Sequence, residues 1–300
     1  MKDIIRINSI TQLHESIDYE SPKHPLISVI DFSKRKHQNR MHDISVALGF
    51  YTISLKDGKN CNLKYGRNKY DFSEGSLIFT APGQVVTYEA SNYVPVNEGW
   101  LLCIHPDLIR PYSLYDRMKD FSFFSYDTHE ALHVSDHEKS IITEVVKSIE
   151  RELSQNIDVY SQDLIVSNIE VLLNHSNRFY GRQFITRNQL HKDVISRFNQ
   201  SLEKAFEPVN IELHGIPTVK YLADKMGYSR NYLSDMLRKE TGKNTLEHIQ
   251  LKLVDKAKTM LLNSSDPVKE IAYSLGFEYP EHFSKFFKKQ TGMSPTMFRN

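Results

Sequence analysis

VKEIAYSLGF at residues 268–277 repeats VKYLADKMGY at residues 219–228, 49 positions earlier. Val, Lys, Ala and Gly are identical in the two stretches, and Leu222/Ile271, Met226/Leu275 and Tyr228/Phe277 are like for like. The likeness resumes after one inserted residue. YLSDMLRKETG (232–242) aligns with HFSKFFKKQTG (282–292), placing Leu233 with Phe283, Leu237 with Phe287, Lys239 with Lys289, and the closing Thr-Gly pairs together. Such self-similarity marks a duplicated supersecondary unit.

Each copy has the spacing of two short helices. Val268, Ile271, Ala272 and Leu275 recur at i, i+3, i+4 and i+7, which is one face of a helix. Asp266 is expected to cap that helix with Pro267 in its first turn, where the missing N–H costs nothing. Gly276 fits a left-handed C-terminal position, Phe277 turns inward, and a second helix runs to Gly292, burying Phe283, Phe286 and Phe287. In the first copy Thr218 caps, Val219, Leu222, Ala223 and Met226 face inward, and Gly227 ends the helix. Ser229 then caps a helix that buries Leu233, Met236 and Leu237. Helix, short Gly-containing turn and second helix make a helix-turn-helix pattern, here spanning about residues 218–242 and 266–292.

The outward residues of the second helices define a candidate DNA-binding set. They are Arg230, Asn231, Ser234, Asp235 and Arg238 in copy one, and Tyr279, Glu281, His282, Lys285, Lys288 and Lys289 in copy two. Arg and Asn can pair with guanine and adenine edges, whereas Lys mainly neutralises phosphate. Copy one therefore reads as the base reader and copy two as the phosphate holder. One copy alone would fit an ordinary bundle with a solvated basic face; two copies with positive outer helices favour double-stranded DNA as partner. TLEHIQLKLVDKAKTMLL (245–262) lies between them as one helix with Leu246, Ile249, Leu253, Ala257, Met260 and Leu261 on its apolar face. Its length of about 27 Å suits two reading helices about one DNA turn, ~34 Å, apart.

Charge agrees with this. The net charge of the 300 residues is +1, yet residues 216–300 hold 14 Lys/Arg against 9 Asp/Glu, a net of +5, and residues 1–215 are net −4. No segment has the apolar length of a membrane span, and MKDIIRINSITQLHE lacks the apolar core of a secretory signal. Two cysteines, Cys61 and Cys103, in no motif spacing point to a reducing compartment, hence the cytoplasm.

The front of the chain has another character. Stretches 26–32, 44–55, 76–81, 85–90 and 99–104 are rich in Val, Ile, Phe, Tyr and Thr and are separated by turn formers, as in an antiparallel sandwich or barrel. From about residue 135 the period becomes helical: Ser135 or Asp136 caps a first helix, a second covers 159–180, and the two join near 155–158 as a hairpin. The residues 206–217 form an expected break before the repeats.

IAYSLGFEYPEHFSKFFKKQTGMSPTMFR (271–299), with its closing Gly292, Ser294, Pro295, Phe298 and Arg299, resembles the AraC/XylS family of bacterial transcription regulators over about 85 residues. Pro280, Glu281 and Asp235 depart from the family pattern at the reading helices and put copy-specific base contacts in question. The resemblance implies a sequence-specific DNA-binding transcription regulator that is not an enzyme. It also implies a cupin-like N-terminal barrel that senses a small-molecule effector, dimerisation through the helical hairpin, and RNA polymerase as a further partner. The expected fold is therefore α+β with two domains: an antiparallel, cupin-like β-barrel (1–134) plus helical hairpin (135–185), then an all-α double helix-turn-helix domain (192–300).

The alternative function is a cupin-type metalloenzyme with a helical appendage. His24, His37, His42 and His105 invite a metal, but no H-x-H pair is present, and Gln84 stands where a ligand His would be convenient. No metal or cofactor is expected. His42, Tyr51, Tyr88 and Trp100, on or beside the strands, are the candidate effector-binding residues.

Overall fold

The computed structural model describes residues 4–34, 44–57, 75–88, 98–127, 130–155, 158–186 and 188–299. The chain divides into two compact units, residues 1–183 and 184–300, so the expected hairpin falls with the first unit up to Gln183.

The first unit contains strands β1 (Ile4–Ile7), β2 (Ile27–Asp31), β3 (Ile44–Leu48), β4 (Tyr51–Asp57), β5 (Ser76–Thr80), β6 (Val85–Tyr88), β7 (Glu98–Ile104) and β8 (Leu132–His133). Its helices are α1 (Ile10–Ser16), α2 (Pro106–Ile109), α3 (Ser113–Arg117), α4 (Asp136–Glu152) and α5 (Ser161–Thr186), the last running past the division. Among the described residues the expected barrel is not closed, and the strands form two sheets, ordered β1-β3-β6 and β2-β7-β4-β5-β8. Nor is the pairing wholly antiparallel, because β1 lies parallel to β3.

The stretch 44–55, expected as one strand, is cut at Gly49-Phe50, so β3 joins the small sheet and β4 the large one. The Gly49 N–H donates to Ile7 O at 2.8 Å. A Cβ on Gly49 would sit 3.1 Å from Asn8 Cα, so the chain turns there only because two backbones can approach closely. Phe50 is wholly buried beside Ile7, Ile10, Leu13, Ile30, Val46 and Cys103. α1, outside the expected elements, is fixed by a capping box: Ser9 accepts from the Gln12 N–H while the Gln12 side chain accepts from the Ser9 N–H.

Side-chain alternation sorts the large sheet into two faces. In β4, Ile53 and Leu55 lie opposite Leu102 and Trp100 of β7, and Ile53 also faces Phe79 of β5. Phe79 packs on Phe123, Phe124 and the Tyr180 ring of α5, so this face is covered by helices. Thr52 and Ser54 point the other way, with Cys103 and Leu101 beside them. α4 begins at Ser135, which forms a capping box with Glu138. Glu138 in turn accepts from Arg182 of α5 at 2.8 and 2.9 Å, so the start of α4 is tied to the end of α5, as an antiparallel hairpin requires.

The second unit is helical: α6 (Asn188–Ala205), α7 (Pro208–His214), α8 (Val219–Met226), α9 (Arg230–Thr241), α10 (Thr245–Asn263), α11 (Val268–Ser274), α12 (Pro280–Thr291) and α13 (Pro295–Arg299). The expected break at 206–217 contains α7, which Pro208 opens and Gly215 closes. The expected Asp266 cap is absent. Pro267 itself stands at the N-cap of α11 with ψ 141° and no side-chain bond closes that end, while the Asp266 N–H donates to Ser264 Oγ. α10 carries a capping box between Asn244 and Glu247 and buries Ile249, Leu253, Val254, Ala257 and Leu261. Leu246, expected on that face, is exposed.

Phe50→Ala removes a buried ring from the junction of the two sheets. It is expected to destabilise the first unit by about 3–5 kcal/mol, read as a lowered urea midpoint for that unit while the helical unit keeps its own. An unshifted midpoint would show that the junction does not hold the sheets together.

Candidate nucleic-acid interface

The two repeats fold into the helix pairs α8–α9 and α11–α12. Leu222, Ala223, Leu233 and Leu237 are buried in the first, and Ile271, Ala272, Phe283 and Phe287 in the second. The alanines leave room for the second helix of each pair to cross closely. Gly227 and Gly276 occupy equivalent turn positions at φ 74° and 86°, a backbone state that only glycine adopts without strain. Thr218 accepts from the Tyr221 N–H at 3.1 Å and Ser229 from the Tyr232 N–H at 3.3 Å, so both expected caps form. The second pair differs, for α12 starts at Tyr279 and Pro280 without a side-chain cap.

The repeated Thr-Gly ending has a structural cause. Thr241 Oγ1 donates to Leu237 O at 2.8 Å and accepts from the Lys243 N–H at 3.3 Å. Thr291 does the same with Phe287 O and the Met293 N–H. The hydroxyl thus clasps the end of each second helix and frees the outer face from that task.

That outer face is where the sequence placed it. Arg230, Asn231 and Arg238 are exposed on α9, opposite buried Tyr232, Leu233, Met236 and Leu237. Ser234 and Asp235 lie half-buried between them. The Ser234 hydroxyl donates to Thr245 Oγ1 at 3.0 Å, so Ser234 joins α9 to the first residue of α10. On α12 the side chains of Glu281, His282, Lys285, Lys288 and Lys289 are exposed, and Tyr279 at its cap is 51% exposed with its ring 5.3 Å from that of His282. Phe286, expected in the core, is half-buried against Phe277. Lys239 was outside the expected set, yet it is exposed at the repeat position of Lys289, and the alignment of the copies was the signal for it. α10 separates the pairs with 19 residues, about 28 Å at the helical rise.

One imidazole on α10, next to the end of the first pair, titrates away from its ordinary value. His248 on α10 packs its ring against Phe198 of α6, and its Nε2 lies 2.8 Å from Thr241 Oγ1. Burial, followed by the charge of Lys243, holds the imidazole below its ordinary value.

The first unit offers a different picture. Trp100 is buried, and its indole N–H donates to Thr143 Oγ1 of α4 at 3.3 Å. Tyr51 is half-buried with its ring 5.0 Å from Phe124. Tyr51 lies opposite Ile104, on the same sheet face as Trp100, so both belong to the helix-covered side. Tyr88 ends β6, and nothing is described of its side chain; His42 lies outside the described residues. The opposite sheet face carries small buried polar groups that the sequence did not single out: Ser28, Thr52, Ser54 and Thr80. For Thr52 and Ser54 the signal was the polar alternation in YTISLKD.

Of the histidines considered for metal, His24 Nδ1 accepts from the Leu26 N–H and His105 Nδ1 from the Asp107 N–H, while His37 and His42 lie outside the described residues. Gln84 accepts from the Ala81 N–H in its own turn and donates to Tyr126 O. Among the described residues no group of three His, Cys, Asp or Glu side chains could hold a metal ion, and no helix is long and apolar enough to cross a membrane.

Residues 222–300 match the family described as a helix-turn-helix domain. Over 83 residues, 28% of this chain and 34% of the other, the sequence is 34% identical to the HTH-type transcriptional regulator YobQ of Bacillus subtilis. It is 26% identical over 140 residues, 47% of each chain, to the arabinose operon regulatory protein of Salmonella typhimurium. Among solved structures, the DNA-binding domain of AdpA in complex with a target DNA is similar at 28% identity and a TM-score of 0.30, covering 34% of this chain and 88% of that one. The matches span about a third of the length of the first curated relatives. The C-terminal segment is a helix-turn-helix domain of the AraC type, with homologues among AraC/XylS-family transcription regulators.

A base whose pKa falls on folding stabilises the fold fully above its unfolded value and loses that contribution as pH drops toward the folded one. The second unit is therefore expected to lose stability below about pH 6.5, the unfolded value for His248. His248→Gln, which keeps a polar partner for Thr241, should flatten that decline in denaturation at pH 7.5 and 5. An undiminished slope would assign the titration to another group.

Proposed function

We propose that the protein is a sequence-specific DNA-binding transcription regulator, with α8–α9 and α11–α12 as its two helix-turn-helix units. The observation that carries this is the doubled outer face: two repeat-equivalent helices, each with its apolar side buried against the shared α10 and its cationic side exposed. The length of α10 between them in the chain, about 28 Å, is of the order of the ~34 Å between successive major grooves on one side of a duplex. Arg230, Asn231 and Arg238 give α9 the donors for reading bases, whereas Lys285, Lys288 and Lys289 give α12 the charges for phosphate. Ser234 contributes by fixing α9 to α10 rather than by offering a free hydroxyl.

The first unit is the sensor and dimerisation module of the same proposal. Thr52, Ser54 and Thr80 give the face of the large sheet opposite the helices a set of small polar groups suited to hold a compact effector, while Ser28 on that face is already bonded to His14 Nε2 at 2.9 Å. Leu164 and Val171 are exposed seven residues apart on α5, after exposed Val159 and Tyr160, which supports a second copy as the partner of that helix.

The test is an anisotropy titration against a duplex selected from a random pool by the full-length protein, over a series of KCl concentrations. Arg238→Ala and Lys288→Ala are each expected to weaken binding and to lower the slope of log K on log salt by about 0.9 per lost phosphate contact. Asn231→Ala should relax preference at one base pair, by about 1–3 kcal/mol. Unchanged slopes in both cation variants would remove the proposed docking face.

A further inference from the structure

The duplication is broken at one point. Gly227 and Gly276 are equivalent in sequence and share a left-handed backbone, but a Cβ on Gly227 would meet nothing within 4 Å. On Gly276 it would meet Ile216 N at 2.9 Å, Ile211 Cγ2 at 3.0 Å and Gly215 C at 3.1 Å. Two of those three atoms are backbone, which cannot swing aside as a side-chain tip can. The turn of the second helix pair is therefore packed directly on α7 and on the residues that follow it.

Those residues lead straight into the first pair. The Gly215 N–H donates to Ile211 O at 2.8 Å and closes α7 at φ 71°. Ile216 precedes Pro217, so its backbone is held extended, and Pro217 fixes the next φ. Pro217 is buried, and Thr218 beside it is the N-cap of α8. α7 also contacts α6, which packs on α8. A displacement at Gly276 would thus travel through three stiff residues to the start of the first helix-turn-helix unit. α10 joins the two pairs, and α8, α9, α11 and α12 all pack on it. The strap from Ile211 to Pro217 supplies a second connection.

We infer that Gly276, with Ile211 and Ile216, is a positioning contact that fixes the mutual setting of α9 and α12, so that the spacing between two blocks of bases is itself read. This rests on the DNA-binding function proposed above. Gly276→Ala should drive the two pairs apart at the strap. Ile211→Leu keeps the side-chain volume but removes the Cγ2 branch, and it serves where Gly276→Ala does not fold. Gly227→Ala bears the same left-handed strain with no strap to disturb.

The experiment uses the full chain, a duplex it selects from a random pool, and versions of that duplex with one base pair added or removed between the two protected blocks. Wild type should bind the altered duplexes at least tenfold more weakly. In Gly276→Ala and Ile211→Leu that penalty should fall below threefold or the preferred spacing should move by a base pair. Gly227→Ala should weaken binding to all the duplexes by one common factor and keep the wild-type penalty, as a purely structural loss would. A tenfold penalty retained in both strap variants, or missing from wild type, would overturn the inference while leaving DNA binding intact. Wild type that selects no sequence at all would instead overturn the proposed function, and this contact's role with it.

Discussion

The second unit depends on one shared apolar surface, the buried side of α10. A pair of short helices has an inner face and nothing large enough to cover it. Thr245, Ile249, Leu253, Val254, Ala257 and Leu261 provide that cover along a single helix, with α8, α9, α11, α12 and α13 all in contact with it. Because each pair spends its apolar side on α10, its second helix is left with a polar and basic side facing outward. The doubled interface is thus a by-product of how the core is closed. Ser234 reinforces the arrangement, since its bond to Thr245 ties the middle of a reading helix to the start of α10.

The two copies are alike where a helix must start, turn or end, and unlike where they meet the rest of the unit. Thr241 and Thr291 form the same clasp. Yet Thr241 also meets His248, and Gly276 alone of the two turn glycines is crowded. Such asymmetry follows from chain order, because α6 and α7 come before the first copy and can pack against either one only at the surfaces left open. A duplicated sequence in an unduplicated setting acquires different second roles at equivalent positions.

In the first unit the governing constraint is the crossing at Gly49-Phe50. There the chain leaves one sheet for another, and Phe50 fills the space that the crossing opens. The alternation in β4 then assigns Ile53 and Leu55 to the helix-covered face and Thr52 and Ser54 to the other. Trp100 and Tyr51 go with the first of these, which is why their aromatic chemistry serves packing against α4 and the Phe123–Phe124 turn.

The sequence by itself determined the repeat, the helices of both copies, the Thr218 and Ser229 caps and the exposure of Arg230, Asn231 and Arg238 on α9 and of the outward set on α12, though not the half-burial of Ser234 and Asp235. These depend on spacings within a few residues, where hydrogen bonds and side-chain directions repeat with the helix. Tertiary structure alone decided the split of 44–55 between two sheets, the parallel β1–β3 pairing, the helix inside 206–217, the polar groups on the large-sheet face opposite the helices and the crowding of Gly276. Each of those is set by backbones that meet across long stretches of chain: Gly49 at Ile7, or Gly276 at Ile216. Local periodicity says which side of an element is apolar. It does not say what that side will touch.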